Sequence, residues 1–154
     1  MLVKKSTDKT FFIVLSITMG VIIIVSNYLV QFPINKFQLQ NLLTYGAFSY
    51  PIVFLITDLA NRRLGKKEAR KLVYIGFTIG ILLTTLVSTN FQDVISIRIA
   101  LGSGTAFLVA QLIDIEIFQR LRNKAWFVAP VTSSVSGSAI DTFLFFSISF
   151  LGTG

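Results

Sequence analysis

Four charged side chains fall in or at the ends of long apolar runs: Asp58, Arg98, Asp114 and Asp141. A charge near the middle of a bilayer costs at least ~2.5 kcal/mol on the gentlest scale, so each needs a partner or a water-lined cavity. Asp141 lies 15 residues past Trp126, about 22 Å along a helix at 1.5 Å per residue, too far to reach the near interface. Ser133, Gly137 and Asp141 recur every four residues, which gives the helix one face of small and polar groups, as a cavity wall would have. Arg98 is placed at similar depth and is read as an ion-pair or gating partner for Asp141. The blander reading is a buried pair that only fixes packing.

Asp58 and Asp114 each close an apolar run and lead into a basic cluster. A carboxylate near a helix C-terminus feels the unfavourable end of the dipole, which favours a ligand donor at Asp58. The simpler alternative is a surface pair with Arg62 at i+4. Gln111 precedes Asp114 by three residues, so the two project from one face. Ser26 and Asn27 lie near the end of the first apolar run, as interfacial polar residues or as ligand contacts. Glu116 and Arg120 have the spacing of an i,i+4 surface pair. A carboxylate beside an amide suits a flat ligand edge that offers two N–H donors next to a carbonyl. The 15 Phe, four Tyr and one Trp can wall such a ligand, although Phe in lipid is ordinarily membrane filling.

The elements that must position these groups are apolar helices. The chain has 154 residues, is 53% hydrophobic and 14% charged, and has a mean hydropathy of +0.75. Soluble domains average about 25% charged residues, and a chain this short cannot hide so much apolar surface. Runs near 20 apolar residues span a bilayer. They place five spans, at about 10–30, 42–60, 72–89, 94–113 and 126–151, in a single transmembrane domain over 1–154. The expected fold is therefore an all-α, polytopic helix bundle. Pro51 lies mid-way along the second span and predicts a kink near 46–50. Small residues Ala100, Gly102, Gly104, Ala106 and Ala110 favour close helix packing by the fourth span. The Lys4–Lys5 flank followed by an apolar run suits a signal peptide superficially, but without a small-residue cleavage site it reads as an uncleaved first span.

Charge sets the orientation. Of 14 Lys and Arg, Lys4, Lys5 and Lys9 precede span one, six lie between Arg62 and Lys71, and Arg120, Arg122 and Lys124 follow span four. Only Lys36 lies on the other side, which puts the N-terminus in the cytoplasm. The net charge of +7 then faces anionic lipid and implies no nucleic-acid partner. Spans two and four echo each other, both running through an acid into a basic loop. The chain has no Cys and no His, which removes disulfides, thiolate nucleophiles, the usual zinc ligands and a histidine relay. No cofactor or metal is expected. The Ser-rich start of span five has no base to activate a nucleophile, so the chain does not read as an enzyme.

Four stretches, SNYLVQFP (26–33), YGAFSYPIVFLITDL (45–59), AQLIDIEIFQRLR (110–122) and WFVAPVTSSVSGSAIDTFLFFSISF (126–150), closely resemble the queuosine precursor transporter family. The resemblance implies a vitamin-uptake-like helical fold. It also implies import of a deazapurine, 7-cyano-7-deazaguanine (preQ0), across a bacterial inner membrane for tRNA queuosine synthesis. The substrate-binding expectations fall on the polar positions inside or beside these motifs: Asn27, Asp58, Gln111, Asp114 and Asp141. The alternative is a substrate-binding subunit of a multi-component importer energised by separate ATPases, since no Walker motif is present. An oligomer is compatible with either reading. The family pattern has six helices, so the stop at Gly154 reads as a fragment lacking the last one, or as a subunit whose partner supplies it.

Overall fold

The structure, a computed structural model, describes residues 2–29, 32, 45–87 and 94–150. The side chains of Asn27 and Arg98 lie outside the described residues. Among the described residues every regular element is helical: α1 Leu2–Leu29, a 3-10 turn at Tyr45–Phe48, α2 Tyr50–Leu64, α3 Lys66–Val87, α4 Val94–Leu121 and α5 Val128–Phe150. Three of these are long and apolar enough to cross a membrane, over Thr7–Ser26, Leu101–Leu121 and Val128–Ser149.

The bundle is turned inside out relative to a soluble protein. On α1, Ile13, Ile17, Val21, Ile24 and Tyr28 are exposed at a spacing of three to four residues, a continuous apolar stripe that only lipid or another protein covers. The interior has two parts. Leu15, Met19 and Ile23 of α1, Val53, Ile56 and Ala60 of α2, and Ala69, Leu72 and Val73 of α3 form an apolar core with Ile115 of α4. Thr57, Asp58 and Asn61 of α2 are also buried, one position round the helix from that core. A single helix thus serves both an apolar and a polar interior.

The bounds of α2 correct the kinked span expected over 42–60. Pro51 does not bend a longer helix; it occupies the first turn of α2, which starts at Tyr50. The reason is local, because a first-turn residue needs no N–H and the fixed φ of proline suits the helix start. Ser49 carbonyl accepts from Ile52 and Val53 N–H at 3.1 and 3.3 Å. Its hydroxyl makes no cap and meets the Ser26 hydroxyl of α1 at 2.6 Å.

The basic stretch after α2 is no loop. Gly65, at φ 90°, is the one residue between α2 and α3, and its N–H closes on the carbonyls of Ala60 and Asn61. A left-handed φ favours glycine there. Lys66 and Lys67 then stand at the positive end of the α3 dipole, and Glu68 and Glu116 offset them. Glu116 pairs with Lys66 at 2.6 Å and Arg70 at 3.6 Å, which replaces the expected pair with Arg120. The helix α4 continues to Leu121 instead of ending near 113, so Glu116 is carried round to face α3. Arg63 meets Asp8 at 3.7 Å and covers the Phe11 ring. These contacts gather the start of α1, the α2–α3 turn and the end of α4 at one end of the bundle.

Exposed ion pairs contribute about 0–1 kcal/mol. Glu116→Lys is therefore expected to lower thermal stability by no more than a few degrees, and Lys66→Glu in the same chain to recover it. A reversal pair that fails to recover would mean the two side chains do not meet.

Candidate functional site

The register of α4 on α5 fixes which polar groups share a level. A Cβ on Gly102 would meet Ser149 and Ile148, and one on Gly137 would lie 3.3 Å from Asp114 Cβ. Each step along α4 is thus matched by one back along α5, as antiparallel helices require. Asp114 lies opposite Gly137, and Gln111, three residues earlier, opposite the level of Ile140 and Asp141. The same glycine brings in α2, since its Cβ would stand 2.6 Å from the Phe54 ring. Without a side chain at 137 three helices converge here.

Asp58 is turned toward α5. Ser133 and Ser134 hydroxyls donate to its two carboxylate oxygens, each at 3.3 Å. Ser133 has a second acceptor in the Pro130 carbonyl, also at 3.3 Å, so its single hydrogen is shared or alternates. The surface pairing of Asp58 with Arg62 is not formed. Arg62 instead donates to the Trp126 carbonyl at 2.6 Å and lies over the Phe118 ring, and Arg122 donates to the Arg62 carbonyl at 2.9 Å. Both arginines tie the C-terminal end of α2 to the α4–α5 connection and leave Asp58 to the interior.

Asp58 is held at Ser133 of α5, and Asp114 faces Gly137 one turn further along the same helix, so the two carboxyls are neighbours in the interior. Relative exposure is 3% for Asp58, 1% for Gln111 and 0% for Asp114. Ionised carboxylates only accept, so proximity gives neither a donor. Both oxygens of Asp114 and both amide atoms of Gln111 have no hydrogen-bond partner among the described residues. Asn61 donates to the Ile115 carbonyl at 3.0 Å while its Oδ1 is unpartnered among those residues. An unsatisfied buried group costs about 1–3 kcal/mol, more when charged. Such a set at one helix interface is therefore suited to a ligand that brings donors and acceptors.

Asp141 is half-buried on α5, and no hydrogen bond or ion pair joins it to another described residue. It lies eight residues from Ser133, about 12 Å along the helix, so it belongs to the Gln111 level and not to the Asp58–Asp114 pair. The depth expected for Arg98 needs correcting. Arg98 precedes Gly102 by four residues, and Asp141 precedes Ser149 by eight. In this antiparallel register their backbones are about 18 Å apart along the bundle. Depth counted from each helix's own end missed this, because α5 extends well beyond Asp141.

Thr57 and Asn61, buried on α2 beside Asp58, and Ser134 on α5 are neighbours of the candidate site whose residue types alone do not single them out. Their signal was helical spacing: Thr57 and Asn61 are four apart and flank Asp58. Among the described residues no three His, Cys, Asp or Glu side chains come together as a metal cage would need.

A family model described as "Putative vitamin uptake transporter" matches residues 44–153. The chain is 36% identical over 155 residues to the "Probable queuosine precursor transporter" of Haemophilus influenzae, covering 84% of this chain and 65% of that protein. It is 34% identical over 139 residues to the "Queuosine precursor transporter" of Escherichia coli, covering 81% and 62%. With the "Probable queuosine precursor transporter" of Bacillus subtilis it shares 28% over 130 residues, covering 71% and 57%. The chain thus spans less than two thirds of the length of each of these relatives. No solved structure gives a significant match.

Proposed function

Because this chain belongs to the family of vitamin uptake transporters, we propose that it is the substrate-binding part of a multi-pass transporter that brings a queuosine precursor into the bacterial cytoplasm. The names carried by its relatives support that cargo class. The substrate form we favour is 7-cyano-7-deazaguanine. One observation carries the reading: Gln111 and Asp114, one turn apart on α4 and almost fully buried, offer an amide and a carboxylate with no protein partner among the described residues. A guanine-like edge has a carbonyl beside two N–H groups. The carboxylate of Asp114 accepts the two donors and the Gln111 amide donates to the carbonyl. Asp58, held by Ser133 and Ser134, completes the site from α2. Asp141 lines the approach from the far side.

In this reading the basic end of the bundle faces the cytoplasm, the bilayer is the inner membrane, and the substrate reaches the site from the opposite face. The absence of native Cys makes the orientation simple to test. In intact cells Lys67→Cys is expected to resist a membrane-impermeant thiol reagent and Tyr45→Cys to react; permeabilisation should expose Lys67→Cys. The opposite pattern would invert the topology. Cells lacking their own route and expressing the full-length transporter are expected to accumulate labelled precursor, and no uptake would overturn the assignment.

A further inference from the structure

Among the described residues the polar interior holds acids and no base. Asp58 and Asp114 are both buried and meet α5 one turn apart, at Ser133 and Gly137, the chain contains no His, and no described Lys or Arg side chain is buried. Among the described residues the basic groups near the pair point away from it: Lys67 of α3 and Arg120 of α4 are exposed, the side chain of Arg98 on α4 lies outside the described residues, and most of the others are engaged elsewhere. On α2, Arg62 is on the Trp126 carbonyl and Arg63 on Asp8 of α1. On α3, Lys66 and Arg70 hold Glu116 of α4, and Lys71 holds Glu68. The only charged side chain of α5 is Asp141, another acid. Two adjacent carboxylates out of water repel strongly unless a positive charge lies with them.

The second observation is independent of the acids. Gln111, 1% exposed, has both amide atoms unpartnered among the described residues, and it lies on the buried face of α4 that also carries Asp114. With the hydroxyl of Ser133 this makes an all-oxygen set of two carboxylates, an amide carbonyl and a hydroxyl. Hard cations take such ligands, and two acids suit a single positive charge better than a divalent ion, which commonly draws on more oxygens.

We propose that the Asp58–Asp114 pair, with Ser133 and Gln111, takes up one monovalent cation, a proton or a sodium ion, and that this cation travels with the substrate. The binding step stands on the geometry alone; its coupling to transport rests on the transporter reading above. A neutral deazapurine satisfies the N–H acceptors of one carboxylate and leaves the other charged. The cation neutralises that second charge, so the loaded pair passes between the two faces carrying one negative charge instead of two.

The test uses the purified full chain in detergent, without substrate. Infrared difference spectra report a protonated carboxyl, and equilibrium binding of radioactive sodium reports the ion. One of the two is expected at about one per chain near neutral pH, and it should be lost in Asp114→Asn and kept in Asp141→Asn. If Asp114→Asn is not monodisperse, Asp58→Asn takes its place. Neither signal in the unsubstituted protein, or a signal indifferent to both substitutions at the pair, overturns the cation site. Coupling is read in vesicles containing the full-length transporter. A pH or a sodium gradient, whichever ion the first assay identified, should raise accumulation at least about ten-fold over exchange without a gradient. Exchange that proceeds with no response to either gradient overturns coupling, whereas loss of exchange itself counts against the transporter reading and leaves the binding result standing.

Discussion

Gly137→Ala is expected to loosen the site where α2, α4 and α5 meet. The new Cβ would stand 2.6 Å from the Phe54 ring and 3.3 Å from Asp114 Cβ, and Phe54 is itself 2% exposed, so the ring has little room to move. Overpacking of this kind costs about 1–3 kcal/mol. For a chain of this size that is a fall of roughly 2–10 °C in melting temperature. Uptake should fall with it, because α5 must move away from α2 and take Ser133 and Ser134 off Asp58. Phe54→Leu added to Gly137→Ala is expected to recover most of both losses, a coupling of about 0.5–3 kcal/mol between neighbours. Gly80→Ala is the control: its Cβ meets nothing within 4 Å, and alanine in a helix is about 0.8–1 kcal/mol better than glycine. If Gly137→Ala melts and transports as the parent does, the close approach of α2, α4 and α5 is wrong.

The second large effect is expected to have opposite signs in two assays. In Asp114→Asn a buried carboxylate without a donor becomes a neutral amide. Without substrate the bundle should then gain stability, because the strained charge is gone; a shift of about 1–3 kcal/mol is the scale for such groups. Precursor uptake should weaken. A hydrogen bond to a charged group contributes about 1.5–3 kcal/mol, so the half-saturating concentration is expected to rise roughly 10- to 150-fold. A residue that serves packing alone would behave in the reverse way, with stability lost and affinity kept. Melting curves and concentration-dependent uptake on the same preparation separate the two. Stability commonly yields to function at such positions.

What could be read from the chain alone was the part governed by solvent. Acids inside apolar runs stand out because lipid penalises them, and Asp58, Gln111 and Asp114 are indeed turned inward. Their partners were not legible. Arg62 has the spacing to pair with Asp58, yet its longer arm reaches the Trp126 carbonyl instead, and nothing in the local sequence ranks those two outcomes. The same holds for Glu116, whose choice of Lys66 and Arg70 depends on how α3 crosses α4. Hydropathy also merged the approach to Pro51 with α2, since an apolar average is blind to a proline that starts a helix. Arg98 and Asp141 were assigned a common depth that only the antiparallel register of two helices can decide. Thr57 and Asn61 went unselected because their types are common in membrane helices, and their role comes from position beside Asp58.

The late start of α2, set at Pro51, has a consequence for the surrounding lipid. With 15 residues, α2 reaches about 22 Å, short of the ~30 Å hydrocarbon layer. Its neighbour α1 has 28 residues. Acyl chains beside α2 must therefore compress or tilt to cover the mismatch, at fractions of a kcal/mol per ångström. The protein should settle more readily among short-chain lipids, and a thick, ordered membrane would press on the end of the bundle where Ser49 meets Ser26.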